Sequence, residues 1–179
     1  TCPSCARLGP VQHFAQRGTG PADVVHLQIG WSLLTLRRHG YELWVCEPDY
    51  STDPFKQVRE DVSCTLMVLT QQRRVLTKVK AKARSVRFDD SIALAGNCIA
   101  DLQLQLRRNP PRPGDSGWVI SPAGEHSTDP FQELQSIKVF QLLKLRPELM
   151  TVLLLPPGYT ADFEGDQMAG VRTASGVEV

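Results

Sequence analysis

The sequence predicts an α+β fold: a predominantly antiparallel sheet with short helices. Three observations predict it. Apolar runs of strand length recur between Gly- and Pro-containing breaks. Leu102, Leu104 and Leu106 alternate with Gln103, Gln105 and Arg107, the period-2 pattern of a strand with one buried face. Asp-Pro pairs at 53–54 and 129–130 have the form of helix starts, with a side-chain cap followed by a ring whose φ is already set.

Along the chain, residues 1–22 are rich in Gly and Pro, carry Cys2-Pro3-Ser4-Cys5, and read as a loop or knuckle. A first α+β half is expected over 23–85. In it, Leu33–Leu36 and Tyr41–Val45 flank Arg37-Arg38-His39-Gly40, a polar break ending in glycine, and read as a hairpin. One helix over 22–38 is the competing reading; Gly30, Trp31 and the β-rich partner favour strands. Residues 54–60 should form a short helix after Asp53, and Ser63–Thr70 reads as a strand.

A second half is expected over 86–168. Strands are predicted at 91–99, 101–107, 118–120 and 137–140. The three prolines of Asn109–Gly114 make a loop, because they remove ladder donors. Short helices are predicted from Asp129 and over 146–154, and a flexible tail over 169–179. Trp44-Val45 is followed by Ser51–Phe55 (STDPF), and Trp118-Val119 by Ser127–Phe131 (STDPF). Two readings account for this echo: two related halves, or ordinary helix-start grammar arising twice.

Composition narrows the function. The chain has 179 residues, 41% hydrophobic and 22% charged, which is globular composition. Its net charge of +1 excludes a globally basic nucleic-acid binder, so any such activity must rest on a local patch. No apolar run approaches the roughly 18 residues of a membrane span. The first residues lack the basic and apolar regions of a signal peptide. Five cysteines, an odd number without framework spacing, favour a reducing, cytoplasmic location.

Four features carry candidate chemistry. Cys2 and Cys5 could grip zinc, with His13, His26, Cys46 or Cys64 completing a tetrahedral set, although none of these sits in a ligand pair. A redox centre would need a strand before the CxxC. Gly114-Asp115-Ser116-Gly117 matches the nucleophile loop of chymotrypsin-like hydrolases, with His39 and Asp49 or Asp61 preceding Ser116 in the required order. Against it, Trp118 stands where that family keeps a small residue. The structural reading is a capped turn, a flexible glycine and a core tryptophan. The third feature is basic: Lys78, Lys80, Lys82 and Arg84 would line one face of a strand. They could protect a sheet edge or be a plainly solvated face, meet an acidic partner, or read phosphates, the last disfavoured because no aromatics interleave. Fourth, Trp31, Trp44 and Trp118 are expected in the core. No metalloprotease, phosphate-loop or dinucleotide motif occurs.

One set of residues extends this reading: Pro113–Trp118, Gly124-Glu125, Asp129-Pro130, Arg146–Leu149, Leu155–Tyr159 and Phe163. In this order they resemble the immunity protein 33 family of bacterial polymorphic-toxin and secretion-system effector–immunity pairs, over roughly residues 86–165. The resemblance implies a small, non-catalytic α+β protein. Such a protein is made beside an antibacterial toxin, such as a type VI secretion effector, and binds it to block it. Asp115, Ser116, Gly117 and Trp118 are then a structural signature, and Lys78, Lys80, Lys82 and Arg84 the candidate partner-binding residues. No cofactor is expected, zinc at Cys2 and Cys5 being the one candidate. The two rivals are a serine hydrolase using Ser116 and a zinc-dependent interaction module.

Overall fold

A computed structural model describes residues 24–124 and 134–179. The fold is α+β, with two mostly antiparallel sheets. The first sheet is a four-stranded meander, β1 (Val24–Ile29), β2 (Ser32–His39), β3 (Glu42–Pro48) and β4 (Val58–Arg59), in sequence order. Helix α1 (Ser63–Lys78) follows. The second sheet contains β5 (Ser91–Ala95), β6 (Gln103–Arg108), β7 (Asp115–Pro122), β8 (Leu134–Lys138), β9 (Thr160–Glu164) and β10 (Gln167–Arg172). Its order is β10-β9-β6-β7-β5-β8, with β5 and β7 as the parallel pair.

The expected hairpin is present. β2 and β3 pair from Thr35↔Cys46 to His39↔Glu42, with Gly40 in the left-handed conformation that the tight turn needs. Alternation in β6 also holds: Leu104 and Leu106 are fully buried, while Leu102 lies outside the strand and is 75% exposed.

Several elements differ from expectation. Ser63–Thr70 is the first half of α1, not a strand. Its buried or half-buried positions, Cys64, Thr65, Val68, Leu69, Gln72, Val75 and Leu76, follow helical spacing. Leu66 and Met67 are apolar but exposed, so they fill in the pattern and hide the period. The helix start is held from outside. Asp61 Oδ1 accepts the Ser63 N–H at 2.9 Å, and the buried Glu47 of β3 accepts the Thr65 N–H at 2.8 Å. Thr65 also donates to Ser32, whose hydroxyl bonds to Tyr50.

The helix expected over 54–60 is a single turn. Asp53 does cap it, accepting the Phe55 N–H, and its carbonyl accepts from Lys56 and Gln57. The chain then enters β4 and pairs with β3, which a helix too short to propagate cannot resist. The strand at 91–99 ends at Ala95 and passes into a 3-10 turn at Cys98–Ala100. The strand at 137–140 is β8, which stops at Lys138 before a 3-10 turn and the short α2 (Leu142–Leu145). The helix at 146–154 is a 3-10 segment, Pro147–Val152. The chain from Ala169, expected as a flexible tail, continues β10 to Arg172; Val171 is buried and its carbonyl accepts the Val179 N–H. The helix start at Asp129 lies outside the described residues.

One cluster of buried side chains joins the two sheets. Trp31, Tyr50 and Val68 are continuous with Ile92, Leu94, Leu104, Leu106, Trp118, Ile120, Ala161 and Phe163 of the second sheet. Leu149, Met150, Val152, Leu153 and Leu155 fill the space between, and Gln72 of α1 donates to the Met150 carbonyl. The two Trp-Val strands occupy different surroundings. Trp118 is fully buried and donates its indole N–H to the Leu153 carbonyl at 3.0 Å, whereas Trp44 is half-buried and bonds to Glu42.

Trp118→Ala is therefore expected to cost about 3–5 kcal/mol, as truncation of a buried aromatic does. Thermal unfolding measures it, and a melting temperature within about a degree or two of wild type would show that the ring does not anchor the core.

Candidate interaction surface

Asp115–Trp118 opens β7 and welds three strands together. Asp115 Oδ1 accepts the Gly117 N–H at 2.9 Å, closing a tight local turn. The Ser116 hydroxyl donates to the Ser91 carbonyl of β5 at 2.7 Å and accepts the Trp118 N–H at 3.2 Å. Gly117 has φ +76, and a Cβ there would fall 2.2 Å from the Asn109 carbonyl oxygen. That close approach lets Asn109 donate to the Gly117 carbonyl at 2.8 Å. The motif sits where the register of the parallel β5–β7 pair shifts, between Ser91 and Ala93.

These bonds bear on the hydrolase reading. Ser116 is 1% exposed, and its proton is committed to a backbone carbonyl. His39 stacks on Trp44 at 4.6 Å, at the end of the β2–β3 hairpin. The Asp49 carboxylate accepts from Ser51 and Thr52, which hold it below the usual range, and Asp61 is held likewise by Ser63. The three residue types of a triad are thus present in order but engaged elsewhere, so the geometry does not assemble them.

The dominant polar group here is Arg108, which the sequence reading passed over. Its side chain is 1% exposed. Five carbonyls receive its guanidinium: Ser116 at Nε, Arg84, Leu153 and Leu155 at Nη1, and Ser85 at Nη2. The guanidinium carbon lies 5.7 Å from the centre of the Trp118 ring. Burial pulls its pKa down to about 10, with the Asp90 carboxylate acting the other way, so it remains charged at neutral pH. The available signal was the alternation itself: Leu104 and Leu106 put Arg108 on the same buried face.

Two of the bonded carbonyls belong to the basic segment. It was expected to be a strand with Lys78, Lys80, Lys82 and Arg84 on one face, but it is a strap without regular structure between α1 and β5. Lys78 is the last residue of α1. The Lys80 N–H bonds to the Thr77 carbonyl and the Ala81 N–H to the Leu76 carbonyl, the paired bonds of a Schellman helix end. Lys80 occupies its left-handed position with φ 52, the one non-glycine residue with positive φ among the described residues. Further on, Arg84 donates its N–H to the Leu154 carbonyl, and Val86 and Phe88 are buried. Lys78, Lys80, Lys82 and Arg84 all have exposed side chains, and none pairs with a carboxylate among the described residues.

On the side of the second sheet away from the core, Gln103, Gln105, Asp162, Glu164 and Arg172 line a shallow cavity of about 400 Å³. Arg172 pairs with Asp162 at 2.8 Å, and Gln105 donates to the same carboxylate. Cys2, Cys5 and His13 lie outside the described residues. Of the other zinc candidates, Cys46 is buried and His26 bonds to Thr35. Burial pushes the Cys64 thiol up to about 11, with the Glu47 charge adding to it. Among the described residues, no three His, Cys, Asp or Glu side chains come together as a metal cluster. No helix among them is long and apolar enough to cross a membrane.

The strap, the Asp115–Trp118 weld and the arginine that joins them fall within one stretch of chain. The family model of the Imm33-like domain matches residues 71–173, more than half of the sequence. The chain belongs to the Imm33-like domain family. The match confirms the resemblance and extends it at both ends, taking in the last turns of α1, the whole strap and β10. No curated protein and no solved structure matches the chain.

Three outcomes are expected. Ser116→Ala should cost about 1–3 kcal/mol of stability, because it leaves the Ser91 carbonyl and Trp118 N–H without their partner, while biological activity stays close to wild type. A fluorophosphonate probe should leave Ser116 unlabelled; labelling that depends on His39 would restore the hydrolase reading. Elemental analysis of untagged protein should find well under one zinc per chain, and a full equivalent that is lost in Cys2→Ser would overturn this.

Proposed function

We propose that the protein binds a cognate antibacterial toxin and neutralises it by occupying it, with no chemistry of its own. The observation that carries this reading is membership of the Imm33-like family over residues 71–173. The disposition of Ser116 supports it. The Asp-Ser-Gly-Trp motif, the strongest candidate for catalysis, uses its hydroxyl to join β5 to β7. An inhibitor must hold its target at low cellular concentration, so the affinity should be nanomolar or better, about −12 kcal/mol. Complexes of that strength commonly bury about 1,600 Å² and depend on a few anchors.

The test is co-expression with the product of the neighbouring effector gene, followed by binding measurements on the two purified proteins. Restored growth of toxin-expressing cells and a nanomolar complex are expected. No binding, with both proteins folded, would contradict the reading for that pair.

A further inference from the structure

We infer that the strap from Lys78 to Arg84 is the surface that meets the toxin, and that it fits an acidic face on that protein. This rests on the toxin-binding reading above and adds the place and chemistry of contact. The first support is the loss of edge protection as an explanation for such a row. Lysines on an edge strand guard it against pairing with another chain, but this segment is not a strand and has no edge to guard.

The second support is the backbone of Lys80. The left-handed position of a Schellman helix end is one that glycine fills without a steric penalty, whereas a side chain there brings its Cβ against the following carbonyl oxygen. Lys80 is the one non-glycine residue among those described that adopts positive φ. Its two neighbours are fixed inward: Val79 is buried and Ala81 packs against the core. The side chain of Lys80 stays outside, exposed and without an ion-pair partner among the described residues. Among the described residues its side chain makes no hydrogen bond or ion pair that would offset the strain, which points to a group that acts on another molecule.

The third support is rigidity. The Arg84 amide is bonded to Leu154, and the Arg84 and Ser85 carbonyls are held by the buried Arg108. The backbone is thus held on both sides of Lys82, at Lys80–Ala81 and at Arg84–Ser85, before any partner arrives, so binding orders side chains more than a loop. The excess charge is local, since the whole chain carries only +1. A protein partner fits better than nucleic acid. No aromatic residue lies within 78–87 for bases to stack on, and Phe88 is buried.

The experiment is surface plasmon resonance of the full chain on the neighbouring toxin at low and high salt. It uses wild type, Lys80→Gly and the double variant Lys82→Glu/Arg84→Glu, with thermal unfolding of each. Lys80→Gly relieves the strained position, so it should melt at or above wild type while binding roughly two- to fivefold more weakly, the worth of one exposed ion pair. The double reversal should slow association roughly tenfold at low salt and flatten its salt dependence, with a smaller change in dissociation. Wild-type association rates in both variants would remove the strap from the interface and leave the toxin reading intact. Failure of wild type itself to bind would overturn the toxin reading and the strap's role with it. Strap-dependent binding of a polyuridine RNA as tight as that of the toxin would overturn the partner class.

Discussion

The second sheet depends on one buried cation. Arg108 carries its charge into the core without a carboxylate at its hydrogen-bonding nitrogens, which by desolvation alone costs several kcal/mol. The cost is offset because the carbonyls it meets need donors just as badly. Leu153 and Leu155 lie after a 3-10 turn, Arg84 and Ser85 lie in a strap outside any ladder, and Ser116 lies at an irregular strand start. Backbone oxygens in such segments cannot be satisfied by a neighbouring strand, and burying them unpaired would be unfavourable. One planar fork with five N–H donors serves all three segments at once. The Trp118 ring lies beside the guanidinium, and its own N–H shares the Leu153 carbonyl.

The same device recurs elsewhere in the sheet. Arg146 donates to the Ile99, Asp101 and Gly165 carbonyls, fastening the turn before β6 and the β9–β10 turn to the chain after α2. The protein thus joins irregular segments with arginines where a more regular fold would use strands or helices. For function, the consequence is a basic strap with a fixed backbone. Its charged side chains are exposed, while the peptide groups at Lys80, Ala81, Arg84 and Ser85 are tied to α1, Leu154 and Arg108.

The sequence made some of this legible and concealed the rest for physical reasons. The β2–β3 hairpin followed from its glycine-ended polar break between two β-rich runs, and β6 from periodicity, because β6 packs one face inward and its side chains record it. At Asp115–Trp118 a turn residue, a glycine and an aromatic each have one simple local use, and they lie in a capped turn, a close backbone approach and the core. α1 was hidden by Leu66 and Met67, which place apolar residues on its solvent face. Its start is held by Glu47, far away in sequence, which no local pattern shows. The helix grammar of Asp53-Pro54 was real, since Asp53 caps the turn, but pairing of β4 with β3 ended it. The strap read as a strand because alternating Lys and small residues mimic one. A lysine in a left-handed helix end cannot be foreseen from a pattern in which glycine is the usual signal.

Arg108 holds the strap, the 153–155 turn and the start of β7 as one unit. Hydrogen–deuterium exchange of wild type and Arg108→Met, the latter keeping bulk while removing the donors, tests it most directly. Peptides spanning 81–87 and 153–158 should exchange slowly in wild type and much faster in the variant, while β1–β3 keeps its protection. Unchanged exchange in both peptides, in a folded Arg108→Met protein, would contradict the account.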